Sequence, residues 1–341
     1  MNSHEVFFEN KAADITLAGT LTIPQSQKPA PAVLLIPGMG PADRDCTLPG
    51  GNHKLFLVFA DYLTQHGIAV LRYDKRGVGK STGKFDLTVT TQDLAGDVLA
   101  GVEYLKTCTK INAKQIGLIG HSEGGIIASI IASQSKDIAF AVLLAPAVAT
   151  GTEEVLDLVA LQLQADGATQ DLITRYRFAR KQLMDLAKQE PDPVKAEGQM
   201  HGVFENYWRT LSESQKSESE KLLFAICSTN ANDTIAMINS PWSRYYLACD
   251  TSALFKRITV PVLTLMGELD FIAFPKIIAP IVEHGFKQAS NTDHTIVEFP
   301  KLNHWFQECK TGALAEYGAT KETIAPAVLK TISEWIVARV K

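Results

Sequence analysis

Gly120-His121-Ser122-Glu123-Gly124 is the stretch on which the reading of this chain turns. The apolar run Gln115-Ile116-Gly117-Leu118-Ile119 precedes it and predicts a buried strand. Gly125-Ile126-Ile127-Ala128-Ser129-Ile130-Ile131-Ala132 follows it and predicts a closely packed helix. Strand, G-x-S-x-G, helix is the pattern of a nucleophile elbow, with the serine on a tight, strained turn. Flanking glycines lack Cβ atoms, so strand and helix can approach where larger residues would collide. The hydroxyl is then presented at a helix N-terminus, where backbone N–H groups favour negative charge.

A serine hydroxyl is a poor nucleophile near neutral pH and needs a base to take its proton. Histidine can take that proton and return it to the leaving group, and a carboxylate fixes the imidazole tautomer. In an elbow enzyme these partners follow in the order serine, acid, histidine. Val260-Pro261-Val262-Leu263-Thr264-Leu265-Met266-Gly267 reads as a buried strand ending in Glu268-Leu269-Asp270. Thr295-Ile296-Val297-Glu298-Phe299 reads as another, followed by Asn303-His304-Trp305-Phe306. Asp270 and His304 therefore lie in loops beyond strand ends, the edge at which sites form in open α/β sheets. Asp270 is the expected acid, with Glu268 as its rival, and His304 is the expected base.

An acyl-transfer site also needs donors for a developing oxyanion. The residue after the nucleophile, Glu123, is expected to offer one N–H. The second is expected from the loop Pro37-Gly38-Met39-Gly40-Pro41, which follows the strand Ala32-Val33-Leu34-Leu35-Ile36. Met39 is the expected donor, with Gly38 and Gly40 as alternatives.

Three stretches carry a family resemblance: Ile36-Pro37-Gly38-Met39-Gly40-Pro41-Ala42-Asp43-Arg44-Asp45, Leu71-Arg72-Tyr73-Asp74-Lys75-Arg76-Gly77-Val78-Gly79-Lys80-Ser81, and Gly120 to Gly125. With Asp270 and His304 they make the chain resemble a bacterial α/β-hydrolase of the serine esterase branch, which also holds serine-aminopeptidase-like and acyl-peptidase-like enzymes. The resemblance covers roughly residues 15–150 and 255–341. It implies an α/β-hydrolase fold: a mostly parallel sheet flanked by helices, with an inserted helical cap. It also implies that the run from Arg72 to Ser81 braces the oxyanion loop through charges around Asp43, Arg44 and Asp45. That run lacks the G-K-[ST] ending of a phosphate loop. Many family members carry His-Gly where this chain has Pro37-Gly38.

The pattern along the chain agrees. Residues 4–24 predict a β-hairpin, 54–66 and 91–108 predict helices, and 68–73 predicts a strand between them. Ile138 to Ala149 predicts the strand after the nucleophile helix. Strands alternating with helices argue a parallel sheet. From about Thr152 to Phe255 the strand-like runs cease, and Leu172, Tyr176, Ala179, Leu183 and Leu186 recur at helical spacing. The expected division is a core of 1–150 and 256–341 with a helical cap over 151–255. Trp242, Tyr245 and Tyr246 in that cap are expected to line a substrate pocket, because such rings offer large apolar faces.

With 341 residues, 46% hydrophobic content and a formal net charge of −4, the chain suits one large α/β domain with an insertion, or two domains sharing one site. Dispersed charge gives nucleic-acid binding no electrostatic basis. The longest apolar run is too short to span a bilayer. Met1-Asn2-Ser3-His4-Glu5 lacks a basic, then apolar, leader. A cytoplasmic location is expected, the alternative being an exported protein whose signal peptide has been removed. The five cysteines are scattered without C-x-x-C spacing, so no zinc site is expected; a Cys227–Cys249 disulfide is left open. No metal or organic cofactor is expected. The expected activity is that of a carboxylesterase cleaving small acyl or aryl esters through an acyl-enzyme. The alternatives are an aminopeptidase-like or acyl-peptide amide hydrolase, with Glu153, Glu154, Asp157 or Glu205 anchoring an α-amine, and a non-catalytic binding protein of the same fold. The expected partner is a small-molecule ester; self-association into a homo-oligomer is compatible with the sequence.

Overall fold

A computed structural model describes residues 2–48, 53–148, 151–222, 231–289 and 291–340. The chain opens with the antiparallel pair β1 (Asn2–Asn10) and β2 (Ile15–Ile23). Then follow β3 (Ala30–Ile36), α1 (Leu55–Gln65), β4 (Ala69–Tyr73), α2 (Thr91–Thr107), β5 (Ile111–His121), α3 (Glu123–Ala132) and β6 (Phe140–Leu144). Seven helices come next: α4 (Thr152–Ala165), α5 (Gln170–Gln189), α6 (Pro193–Thr210), α7 (Glu213–Leu222), α8 (Ala231–Asn239), α9 (Pro241–Ala248) and α10 (Thr251–Phe255). The chain then returns to the sheet through β7 (Val262–Gly267), α11 (Pro275–Lys287), β8 (His294–Phe299) and α12 (Pro326–Arg339).

The eight strands form one sheet in the order β1-β2-β4-β3-β5-β6-β7-β8. Strands β3 to β8 are mutually parallel, and β2 joins them antiparallel to β4. This is the mostly parallel α/β-hydrolase sheet. Helices cover both faces, which is why β4, β6 and β7 are buried along their whole length and read as unbroken apolar runs. Strand β6 is shorter than the apolar run Ile138 to Ala149 suggests. Ala145 adopts φ 45° and Pro146 follows, so the strand pattern ends there.

Parallel strands all present their C-terminal ends at one edge. Ser122 follows β5, Asp270 follows β7 and His304 follows β8, so three distant segments arrive together. The sheet core extends from Val6 on β1 to Ile336 on α12. Helices α4 to α9 have their own apolar clusters, one around Leu183, Met184, Met200 and Ile235 and another around Leu163, Leu172, Tyr176 and Tyr207. On α5 the buried residues Leu172, Tyr176, Ala179, Leu183 and Ala187 recur every three or four positions, as one buried helical face requires. The helix stops at Gln189, and Asp192 caps α6 by accepting from the Val194 N–H, with Pro193 at the first helical position.

The turn at Ser122 depends on backbone-to-backbone proximity. A Cβ on Gly120 would lie 2.0 Å from the Gly124 carbonyl oxygen, and one on Gly124 would lie 2.2 Å from the Ile36 carbonyl oxygen. Neither neighbour is a side chain that can swing away. Gly120→Ala is therefore expected to destabilise the fold by about 2–3 kcal/mol, at the upper end of overpacking costs. Urea unfolding measures this, and a loss below about 0.5 kcal/mol, the range of tolerant surface sites, would contradict the backbone contact at Gly120.

Candidate active site

Ser122 sits immediately before α3 with φ 56° and ψ −118°, a backbone conformation that non-glycine residues rarely adopt. The turn is locked on both sides. The Ser122 N–H donates to the Leu144 carbonyl at 2.9 Å, and the Ser122 carbonyl accepts from Gly125 at 2.9 Å and Ala147 at 3.1 Å. Ser122 is half-buried, whereas the residues around it are buried.

Asp270 is fully buried. Its Oδ1 accepts from the N–H groups of Ile272 at 2.9 Å and Ala273 at 2.8 Å, which fixes the carboxylate plane. Its Oδ2 lies 2.8 Å from His304 Nδ1. A proton held on Nδ1 by that contact leaves Nε2 as the free acceptor of the ring. Glu268 takes no part: it is exposed and accepts the Lys301 N–H at 2.9 Å. The His304 loop is held by Asn303, whose Oδ1 accepts from Trp305 and Gln307, and by Phe306, which is wholly buried.

His121 contributes in a way that sequence reasoning missed. Its Nε2–H donates to the His304 carbonyl at 2.8 Å, and the two rings lie 4.7 Å apart. The residue next to Ser122 thereby ties the elbow to the His304 loop. Burial, reinforced by the neighbouring His304, pushes the His121 imidazole down to about 3. It remains neutral at physiological pH and adds no positive charge beside His304. Both ring nitrogens of His53 are engaged, by Thr323 at 3.0 Å and Gly318 at 3.3 Å.

The loop Pro37-Gly38-Met39-Gly40 passes directly over the serine. A Cβ on Gly38 would lie 3.0 Å from Ser122 Cβ. Met39 projects its side chain outward and is 64% exposed. Glu123 is the first residue of α3, so its N–H has no acceptor within the helix. Its side chain is buried, with Oε1 accepting from Thr91 Oγ1 at 2.9 Å and from Trp242 Nε1 at 2.6 Å, and Oε2 lying 3.7 Å from Lys75 Nζ. Lys75 is fully buried and donates to the carbonyls of Gly38 at 2.6 Å and Gly40 at 3.1 Å. Burial pushes the Lys75 ammonium below its usual range, opposed by the charge of Glu123.

The neighbouring charges are paired. Arg44 clasps Asp74 through Nε at 3.1 Å and Nη2 at 2.7 Å, Arg72 pairs with Asp45, and Arg76 pairs with Asp97 at 2.7 Å. Trp242, Tyr245 and Tyr246 are half-buried. Trp242 stacks on Tyr246 at 5.5 Å, the Tyr246 hydroxyl donates to the Ala147 carbonyl, and that of Tyr245 to Gln92 Oε1. Among the described residues no group of three or more His, Cys, Asp or Glu side chains is arranged to hold a metal, and no helix is long and apolar enough to cross a membrane. Cys46, Cys108 and Cys309 are free thiols; Cys227, whose pairing with Cys249 the sequence leaves open, lies outside the described residues.

Comparison with known proteins places this geometry in context. Residues 50–207 match the family model described as serine aminopeptidase, S33. Over 334 residues the chain is 27% identical to Esterase EstD of Thermotoga maritima, covering 97% of this chain and 68% of that protein. It is 33% identical over 141 residues to a polyketide transferase of a Penicillium species, covering 41% of this chain and 44% of the transferase. Among solved structures, the α/β hydrolase GrgF of Penicillium sp. sh18 superposes with a TM-score of 0.59 at 19% identity, over 99% of each chain. Est1E of Butyrivibrio proteoclasticus, solved with ferulic acid bound, superposes at 0.56 and 18% identity, over 98% of this chain and 99% of that one. These two likenesses bear on the fold.

The buried His121 generates a pH dependence of stability. The folded chain holds this ring neutral down to about pH 3, whereas an ordinary histidine binds a proton near 6.5. Below that value the unfolded chain takes up a proton that the folded chain refuses. The His121 contribution is thus complete above 6.5 and shrinks as pH falls, with a limiting slope of about 1.4 kcal/mol per pH unit. Urea unfolding between pH 6.5 and 5 should show this decline, and His121→Gln should flatten it. An equal slope in both proteins would assign the effect to other groups.

Proposed function

Because the chain belongs to the α/β-hydrolases, in their bacterial esterase-like branch, and is a hydrolase, we propose that it is a carboxylesterase acting on small acyl or aryl esters through an acyl-enzyme. The observation that carries this reading is the 2.8 Å pairing of His304 with Asp270 at the same sheet edge as the strained Ser122 turn. Ser122 Oγ attacks the ester carbonyl while His304 Nε2 takes its proton. The N–H groups of Met39 and Glu123 receive the oxyanion. Collapse of the tetrahedral adduct expels the alcohol, which takes the proton from His304. Water, deprotonated by the same nitrogen, then attacks the acyl-serine, and collapse of that adduct releases the acid as the proton passes from His304 back to Ser122 Oγ. Asp270 stabilises the imidazolium at each stage without itself becoming protonated. The chemistry needs no metal or organic cofactor.

The division into a core of 1–150 and 256–341 and a cap of 151–255 belongs to the same proposal. Helix α9 reaches the residue beside the serine through the Trp242–Glu123 hydrogen bond. That proximity supports an aromatic wall of Trp242, Tyr245 and Tyr246 along the acyl side. Amide hydrolysis of aminoacyl substrates is the competing reading, and it needs a carboxylate for the α-amine. Glu153 and Asp157 are exposed and paired with Arg177, and Glu205 is exposed beside Arg209, so these three are poor anchors. Glu154 is half-buried and lines a cavity of about 420 Å³ with Val148, Leu247, Thr251 and His284.

A fluorophosphonate should label wild type and leave Ser122→Ala unlabelled. Ser122→Ala and His304→Ala should each lose ester hydrolysis by on the order of a thousandfold or more. Asp270→Asn should be severe and Glu268→Gln mild; the reverse order would overturn the acid assignment. A side-by-side panel of acetyl, butyryl and octanoyl esters with aminoacyl amides decides between the two readings. In that panel Trp242→Ala should shift the preference among acyl lengths in a graded way, since one methylene is worth only about 1–3 kcal/mol. Equal scaling of every rate would exclude an aromatic wall.

A further inference from the structure

Lys75 is the most unusual group left over by this chemistry: a lysine with no solvent exposure, placed a few ångströms from the serine loop yet without a part in the reaction. Its contacts define what it can do. The Gly38 carbonyl and the Met39 N–H belong to one planar trans peptide, so they point in opposite directions. Fixing that carbonyl on the ammonium at 2.6 Å aims the Met39 N–H the other way, and Gly38 is the residue that packs against Ser122. The second bond, to the Gly40 carbonyl at 3.1 Å, holds the far side of the loop, where Gly40 takes φ 93°. The same ammonium faces Glu123, whose own N–H is the second proposed donor.

Glu123 is held in turn from two directions. Thr91, at the start of α2, and Trp242, on α9, both donate to Oε1. One buried ion pair therefore touches both peptide units of the oxyanion hole, and one of its hydrogen bonds comes from the helical segment between β6 and β7. We propose that the side chains of Lys75 and Glu123 are positioning residues for the oxyanion hole, and that Trp242 makes their setting depend on the seating of α9. This rests on the assignment of Ser122 as nucleophile and of Met39 and Glu123 as donors. When α9 is seated, Glu123 is held and Lys75 keeps the Met39 peptide aimed at the serine. When α9 lifts, Glu123 loses a bond, and the cation facing it shifts with the loop carbonyls it carries. The helical segment then controls turnover as well as substrate size.

The test is steady-state hydrolysis of p-nitrophenyl acetate combined with inhibition by a trifluoromethyl ketone, which Ser122 attacks to leave an oxyanion in the hole. Trp242→Phe keeps an aromatic ring and removes the N–H. Glu123→Gln keeps the shape and removes the charge facing Lys75. Active sites are counted by fluorophosphonate titration, so rates are expressed per functional site. Each variant is expected to lose roughly tenfold in kcat and in ketone affinity together, with KM changed by less than about twofold, because small misplacements of oxyanion donors are costly. A residue that only packs would lower the number of active sites or the melting temperature and leave kcat per site and ketone affinity alone. Unchanged kcat per site and ketone affinity in Trp242→Phe, with Ser122→Ala inactive, overturns the proposal and leaves the nucleophile standing. Activity retained by Ser122→Ala overturns the reading beneath it. Trp242 is half-buried, so its variant decides even where Glu123→Gln fails to fold.

Discussion

The whole arrangement depends on one crossing of bare backbones. Strand β5 turns into α3 with Gly120 against the Gly124 carbonyl and Gly124 against that of Ile36 at the end of β3. No side chain fits between them, so the strand, the helix and the loop after β3 are drawn to their closest approach. Ser122 takes up the angular cost of this crossing at φ 56°. Backbone in such a region costs of order 1–3 kcal/mol and persists only where surroundings over-determine it. Here the Leu144 carbonyl, the Gly125 and Ala147 N–H groups and the wholly buried α3 supply that determination. The loop carrying Met39 lies over the serine for the same reason, since its first residues continue β3 beyond Ile36.

Much of this was legible in the sequence because it is local. Apolar runs marked β3, β4, β6 and β7, and the G-x-S-x-G stretch marked the turn between β5 and α3. The spacing after β7 placed Asp270 beyond the strand end, and the structure pairs it, and not Glu268, with His304. The loss of strand pattern after Pro146 marked the helical segment. What escaped the sequence is what depends on partners distant in the chain. Lys75 sits in a charged run expected to brace the loop after β3, but nothing local singles it out as the residue whose ammonium is sealed beneath Gly38 and Gly40. His121 reads as an ordinary packing residue until the His304 carbonyl is seen above it. Trp242 reads as apolar area, whereas its indole N–H is committed to Glu123. Apolar periodicity reports which way a face points; it does not report which polar groups meet across the fold.

The polar groups around the serine follow one rule. Each charge that is buried has an opposite charge or a set of dipoles facing it: Asp270 two backbone N–H groups and His304, Lys75 two carbonyls and Glu123, Asp97 the Arg76 guanidinium. Removing a single partner from such a pair costs more than the pair contributes, because the remaining charge stays out of water. The loops of the site are therefore held by mutual dependence as well as by the apolar packing that holds the sheet.

The placement of the helical segment has a consequence for how the molecule is made. Strands β6 and β7 are neighbours in the sheet, yet α4 to α10 lie between them in the chain. Until that segment has been traversed, β6 is an edge strand with a buried, wholly apolar sequence, the kind of edge that recruits other chains. Ser122 is present in such an intermediate, but the strands that carry Asp270 and His304 are not. A turn formed at Ser122 at that stage lacks the His121–His304 contact that ties it down in the folded chain. Contacts of such long range slow folding and leave partly built sheets exposed for longer. The apolar clusters within α4 to α9 bear on this interval, because a segment that can collapse on itself shortens the effective distance between β6 and β7.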